Sequence, residues 1–297
     1  MKYLSVFFAA FMLLAASCSN ESDELSNKQP ISGEQAKAPI SVRVDGFDVS
    51  QSNFPMTRAT AVGSYNNVKS LTLAFYASNG TEVYKQTQSK NEADFGEFSL
   101  SLPIGSYTMV VLGYVLYDDD ELTLTSPTQA EYTGGCPRET FAATQEVNVT
   151  NTTAKELTAT LDRIVTCLQV ISTDGRTASV NKVRMTFAAG GKRFSPTSGL
   201  ATANTGSVST VGNSATIGTS STSTGYVFLT SDEQTMDVTI ETLDADGNTI
   251  YSKTVENVPF KRNRRTKLTG AIYGADVTAS GFQVNTDWLD EEAPIAF

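Results

Sequence analysis

No histidine occurs among the 297 residues. That absence removes Ser-His-Asp and Cys-His catalysis, histidine metal sites and a histidine pH switch together. Cysteine is scarce, at Cys18, Cys136 and Cys167, too few to frame a disulfide-rich fold. The single tryptophan, Trp288, sits in a strand-like pattern, which argues against the exposed aromatic platforms of glycan-binding surfaces. Basic residues are outnumbered, 22 Lys and Arg against 32 Asp and Glu, for a net charge of −10. Such a balance disfavours nucleic acid or anionic lipid as a partner. The one basic cluster, Lys261, Arg262, Arg264, Arg265 and Lys267, has no interleaved aromatics and reads as a strand end or a set of ion-pair partners. No nucleophile, base and orienter occur as a set, so no catalytic residue and no cofactor are expected. Asp118, Asp119 and Asp120 lack the spaced ligands and central glycine of a calcium loop. They read as a solvated loop, and no metal is expected.

What is present begins with a leader. Lys2 precedes an apolar stretch from Tyr3 to Ala16, the charged and greasy regions of an export signal. The stretch is shorter than the roughly 20 apolar residues a transmembrane helix needs. Ala15, Ala16 and Ser17 then leave little side chain before Cys18. This arrangement resembles the lipobox of bacterial lipoproteins. The resemblance implies cleavage between Ser17 and Cys18 and acylation of Cys18, with several chains holding the membrane where one would not. Glu21, Asp23 and Glu24 resemble the acidic signal that sends lipoproteins of Bacteroidales-type bacteria to the outer face of the outer membrane. With Cys18 lipidated, Cys136 and Cys167 remain. A disulfide between them is one reading, and a small buried strand residue at Cys167 is the other.

Beyond a polar tether at 18–37, the pattern is β. Ile40, Val42 and Val44 alternate with polar residues, as do Leu71, Leu73 and Phe75, which gives the two-residue period of half-buried strands. Ser78-Asn79-Gly80 and Pro103-Ile104-Gly105 mark hairpin turns. Leu161 to Ile171 is apolar on both faces and reads as a central strand or a strand entering a second core, where a domain boundary is placed. Residues 195–225, rich in Ser, Thr and Gly, read as a surface loop with at most short edge strands. Strands spaced by Gly and Asn turns predict an all-β chain of two consecutive transthyretin-like or Greek-key β-sandwich domains. The predicted division is a signal peptide at 1–17, the tether at 18–37, and sandwiches at 38–160 and 161–297.

Three runs carry a resemblance to a known family. "VPFKRNRRTKLTGAIYG" (258–274) looks like the closing segment of fimbrillins, the pilins of Bacteroidales-type bacteria. "ATLDRIVTCLQV" (159–170) resembles the strand that opens their second domain, and "VKSLTLAFYASNGTEVY" (68–84) their early hairpin. The resemblance implies a structural or adhesive fimbrial subunit, exported as an outer-membrane lipoprotein precursor and displayed at the cell surface or in the fimbrium. It also implies that an arginine-specific protease cuts between Arg58 and Ala59. The strand at 40–47 would then be a removable propeptide, replaced by a donor strand from another fimbrial subunit. The donor candidate is 277–297, with Phe282, Val284 and Trp288 spaced to fill pockets on one face. A surface glycan-binding lipoprotein and a non-polymerising fimbrial anchor that keeps its lipid are the competing readings.

Overall fold

Side chains that alternate between apolar and polar can satisfy a core and water at once only as strands, and strands are what this chain forms. The computed structural model describes residues 35–48, 60–117, 120–274 and 283–285. Over them the chain is all-β. In chain order the strands are β1 (Lys37–Asp48), β2 (Thr60–Ala61), β3 (Ser70–Ala77), β4 (Glu82–Ser89), β5 (Glu97–Pro103), β6 (Gly105–Tyr114), β7 (Glu121–Ser126) and β8 (Gln129–Gly134). Next come β9 (Thr140–Val149), β10 (Lys155–Arg163), β11 (Thr166–Ser172), β12 (Lys182–Phe187), β13 (Arg193–Ser195) and β14 (Leu200–Ala201). The remainder are β15 (Ser207–Gly212), β16 (Thr222–Val227), β17 (Glu233–Leu243), β18 (Thr249–Lys261), β19 (Arg265–Gly270) and β20 (Gln283–Asn285).

The first sheet runs β2-β1-β10-β9-β6-β3-β4, with β5 sharing with β2 the edge of β1 opposite β10. β9 and β10 pair only at Asp162↔Ala142 and Arg163↔Phe141. Their hairpin therefore splays, and the sheet folds back on itself at that corner. The leaf β5-β1-β10 closes over the leaf β9-β6-β3-β4, with a core that includes Ile40, Val42, Leu73, Phe75, Met109 and Leu157 between them. A second core, with Leu168, Met185, Phe187, Ile240, Phe260 and Leu268 among its members, lies between the sheets β16-β11-β19-β20 and β15-β12-β17-β18.

Two segments depart from the sequence reading. The expected single strand across Leu161 to Ile171 is two strands, because Ile164 and Val165 turn into a third core with Tyr76, Leu112, Tyr132 and Phe228. The second departure is a fourth sheet, β14-β13-β8-β7, which joins the segment after the aspartate run to short strands at the start of the Ser-, Thr- and Gly-rich stretch. β8 joins β13 at Glu131↔Arg193 and Ala130↔Phe194. Phe194 stacks on Phe228 with centroids 4.0 Å apart. A polar excursion from each half thus gains an apolar face by meeting the other.

Candidate functional site

β1 is hydrogen-bonded along both edges. It runs parallel to β10 from Ile40↔Lys155 to Asp48↔Asp162. On its other edge it pairs antiparallel with β5 from Lys37↔Pro103 to Arg43↔Glu97, then with β2 at Gly46↔Ala61 and Phe47↔Thr60. Its inner residues Ala38, Ile40, Val42 and Val44 are buried in the first core, while Ser41, Arg43 and Asp45 face water. A parallel neighbour cannot be joined by a tight turn, so β10 holds β1 by its ladder and side-chain contacts alone. Burial of Ile40, Val42, Val44 and Phe47 contributes roughly 6–12 kcal/mol before the entropy of ordering the strand is set against it.

The last part of β1 changes phase. Pairing shifts between Val44 and Gly46, leaving Asp45 as the extra residue of a bulge. Val44 and Phe47 therefore both point inward although they are three apart. The Phe47 ring lies 5.4 Å from Tyr65 and 5.0 Å from Phe141, and these two meet edge to face at 5.4 Å. Gly113 of β6 forms the floor. A Cβ there would sit 2.7 Å from Phe47 Cε1, so the ring occupies space that only glycine leaves.

Behind these rings is a buried ionic cluster. The Tyr65 hydroxyl donates to Glu139 Oε1 at 2.6 Å, and Arg163 Nε donates to the same oxygen at 2.8 Å. Arg163 Nη2 donates to the Tyr65 oxygen at 3.1 Å and Nη1 to Asn263 Oδ1 at 3.0 Å. The Arg163 and Glu139 side chains are 10% and 9% exposed, and the guanidinium carbon lies 5.1 Å over the Phe141 ring. Burial, reinforced by the Glu139 charge, pushes the Tyr65 hydroxyl far above its ordinary value, so it stays a donor. Burial pulls the Arg163 guanidinium down, but Glu139 and Tyr65 more than offset this and hold it charged. Asn263 reaches the cluster from the β18–β19 turn in a left-handed conformation, φ 58°. The cluster thus ties the β9 and β10 ends to the second half of the chain.

Among the residues singled out in the sequence, Ser17, Cys18, Arg58, Ala59, Phe282 and Trp288 lie outside the described residues. Val284 is on β20, opposite Leu268 of β19. Just before it the Asp174 carboxylate accepts the amides of Ile272, Tyr273 and Gly274 at 2.7–3.0 Å, fixing the chain where it leaves β19. In this structure Cys136 and Cys167 are free thiols. Cys136 lies in a loop against the Thr210 amide, whereas Cys167 lies on β11 between Tyr226 and Arg265. Burial pushes the Cys167 thiol up to about 11. Lys261 and Arg262 pair with Glu233 and Asp232 at 2.6 and 2.9 Å, so this part of the basic cluster is engaged within the fold.

Asp118 and Asp119 lie outside the described residues, but Asp120 differs from the solvated-loop expectation. Asp120 is a staple, its side chain 1% exposed, bonded by Arg138 at 2.6 and 3.1 Å and by the amides of Tyr117 and Cys136. Burial pushes its carboxyl up, but these bonds more than reverse that and leave it below the ordinary 3.8. A depressed carboxyl contributes stability that is complete above its unfolded value and is lost as pH falls through the folded one. Asp120→Asn should therefore cost roughly 1.5–3 kcal/mol at pH 7 and flatten the loss of stability below pH 4. Urea melts at several pH values check this, and an unchanged acid limb would reject the staple.

A model of a family of unknown function, DUF6562, matches residues 32–293. The chain belongs to that family. No curated protein matches this DUF6562 member. Among solved structures it is similar to the fimbrial anchor protein Mfa2 from Porphyromonas gingivalis, at 12% identity over 83% of this chain and 95% of that one, TM-score 0.48. A candidate cell adhesion protein from Bacteroides ovatus is 14% identical over 87% of this chain and 100% of that one, TM-score 0.48. A candidate polysaccharide-binding protein (DUF1812) from Bacteroides thetaiotaomicron is 11% identical over 80% and 92%, TM-score 0.48.

Proposed function

We propose that this DUF6562 member is a structural or adhesive fimbrial subunit, exported as a Cys18-acylated precursor at the outer membrane and assembled by strand exchange. The observation that carries the reading is the seating of β1, buried on its inner face and paired on both edges. Its only covalent link to the rest of the fold is the stretch 49–59, which contains Arg58. A cut between Arg58 and Ala59 by an arginine-specific protease leaves β1 held by non-covalent contacts alone. Its departure exposes unpaired strand edges beside an apolar groove, and a strand from another subunit fills it by β-augmentation. The two sandwiches, the first ending with β10 at Arg163 and the second opening with β11 at Thr166, are the domains of the subunit, and 277–297 is its donor segment.

Arg58→Ala should give a lipidated monomer whose chain begins at acylated Cys18, where the parent isolated from the cell surface begins at Ala59. Intact mass and N-terminal sequencing read this directly. Normal polymer formation by the variant sinks the cleavage step, and a parent chain that keeps Cys18 makes the protein an anchor. A glycan-binding reading has one observation of its own. Tyr117 is 62% exposed, with the Arg138 guanidinium 4.9 Å from its ring centroid, an arrangement on which a sugar face could stack. Binding of soluble glycans by the monomer, lost in Tyr117→Ala, is the result that favours it.

A further inference from the structure

β3 is buried on both faces, yet one of its outward residues is polar. Leu71, Leu73 and Phe75 enter the first core, while Ala74 and Tyr76 face the third. Thr72 shares that outer side by alternation and is 5% exposed. In register it lies between Leu112 of β6 and Thr87 of β4. The β7–β8 hairpin packs on the same side of the sheet, and a pocket of about 210 Å³ remains between β7 and the three strands. Its buried part holds Thr72, Tyr114, Leu112 and Leu124, and its rim the exposed Lys85 and Thr87. A larger cleft, about 520 Å³, is lined mostly by charged groups closed on one another, such as Arg262 with Asp232 and Lys261 with Glu233. It has less left to offer a ligand.

Three hydroxyls form a row along the smaller pocket. Thr72 Oγ1 lies 2.8 Å from Thr87 Oγ1 and 2.9 Å from the Tyr114 hydroxyl oxygen. Three O–H groups thus meet in two contacts. Whichever way the row is oriented, one proton is left without an acceptor among the described residues, and the oxygens keep spare lone pairs. Lys85 Nζ donates to Glu82 Oε2 at 2.5 Å and to the Leu124 carbonyl at 2.8 Å. An ammonium has three protons to give, so one remains, while Glu82 balances its charge. Leu112, Leu122 and Leu124 supply the apolar lining. Buried hydroxyls cost stability unless their bonding capacity is used, and here a ligand can use it.

We infer that this pocket binds a single neutral sugar ring, with the ring's hydroxyls on the Thr72, Thr87 and Tyr114 row and on Lys85, and its C–H groups on the leucines. A sugar hydroxyl both donates and accepts, so it pairs with the row in either orientation. An anionic ligand fits less well, because Glu82 already balances Lys85 and the chain carries a net charge of −10. A wholly apolar ligand would strand the hydroxyls. The volume lies below the roughly 300–1,000 Å³ of pockets for drug-sized ligands, which sets the scale at one ring. The pocket is on the outer side of β3 and β6, whereas β1 packs on their inner side. It therefore stands whether or not β1 is exchanged.

The test is saturation-transfer NMR and calorimetric titration of the uncut chain with D-glucose, D-galactose, D-mannose and N-acetyl-D-glucosamine, with D-glucuronate as the charged counterpart. At least one neutral sugar should bind with a Kd of about 1 mM, the strength a single small ring allows. Thr72→Val and Tyr114→Phe nearly keep the pocket's shape and each remove a hydroxyl, so each should weaken binding about 10-fold. Thr87→Ala acts on the same row from the exposed rim, with an expected loss of about 3-fold, and serves should a buried variant fail to fold. The methyl glycoside of the bound sugar separates two sources of such a ring. Its binding assigns the end of a glycan, its failure beside a bound free sugar assigns a soluble sugar, and both support the site. No binding of any neutral sugar at about 20 mM, well above that Kd, overturns the proposal. So does binding that none of the three variants weakens, or that Tyr117→Ala abolishes instead. Tighter binding of D-glucuronate than of every neutral sugar overturns the neutral assignment. None of these outcomes bears on strand exchange, which Arg58→Ala tests separately.

Discussion

Glu139→Ala is expected to lower the unfolding free energy by about 3–5 kcal/mol, and Arg163→Ala by a similar amount. Each single variant strands a charge whose side chain is about nine-tenths buried. Without Glu139, the Arg163 guanidinium keeps only the Tyr65 hydroxyl, the Asn263 carbonyl and the Phe141 face. Without Arg163, Glu139 keeps only the Tyr65 hydroxyl among its side-chain donors described above. The double variant removes both charges, so its cost should fall short of the sum of the singles by more than 1 kcal/mol. The surface pair Arg43–Asp45, 3.1 Å apart with side chains 70% and 42% exposed, supplies the contrast. Breaking it should change stability by less than about 1 kcal/mol, because solvent screens both charges. Urea melts of the uncut chain measure all of these, and additive losses at Glu139 and Arg163 would show that the two do not act as a unit.

None of that cluster was legible in the sequence, and the reason is distance along the chain. Tyr65, Glu139, Arg163 and Asn263 are isolated polar residues in four separate segments, and no local period links them. β1 is the opposite case. Ile40, Val42 and Val44 showed the strand, and its place in a groove followed from the family resemblance. The inward turn of Phe47 was hidden because the bulge at Asp45 breaks the two-residue period that the reading relied on. The Asp45-Gly46 pair was the available cue. Leu161 to Ile171 misled for a related reason. An unbroken apolar run fits one central strand, but it also fits two strands whose junction, Ile164 and Val165, serves a different core. The sheet β14-β13-β8-β7 was missed because its polar excursions become sheet only by pairing with each other, which local composition does not encode.

An effect of similar size should come from Phe47→Ala, about 3–5 kcal/mol for emptying a closed aromatic site, a substantial share of the 5–15 kcal/mol that holds an ordinary domain together. Gly113→Val attacks the same site from below. Its Cβ would lie 2.7 Å from Phe47 Cε1, 3.2 Å from Leu161 Cδ2 and 3.4 Å from Leu71 Cδ2, all in buried side chains. Overpacking of this kind costs about 1–3 kcal/mol. The two changes are complementary in volume, so the double variant should be more stable than additivity predicts by at least 1 kcal/mol, the valine methyls entering the space the ring has left. Simple additivity would mean that Gly113 does not make room for the ring. In the chain cut after Arg58, Phe47→Ala should also speed the loss of β1 by about 100-fold, because the removed contacts are among those that hold the strand once its covalent link is gone. Gly113→Val should speed it too, but less, since it loosens the ring without removing the aliphatic contacts of Ile40, Val42 and Val44 that lie along the rest of the groove.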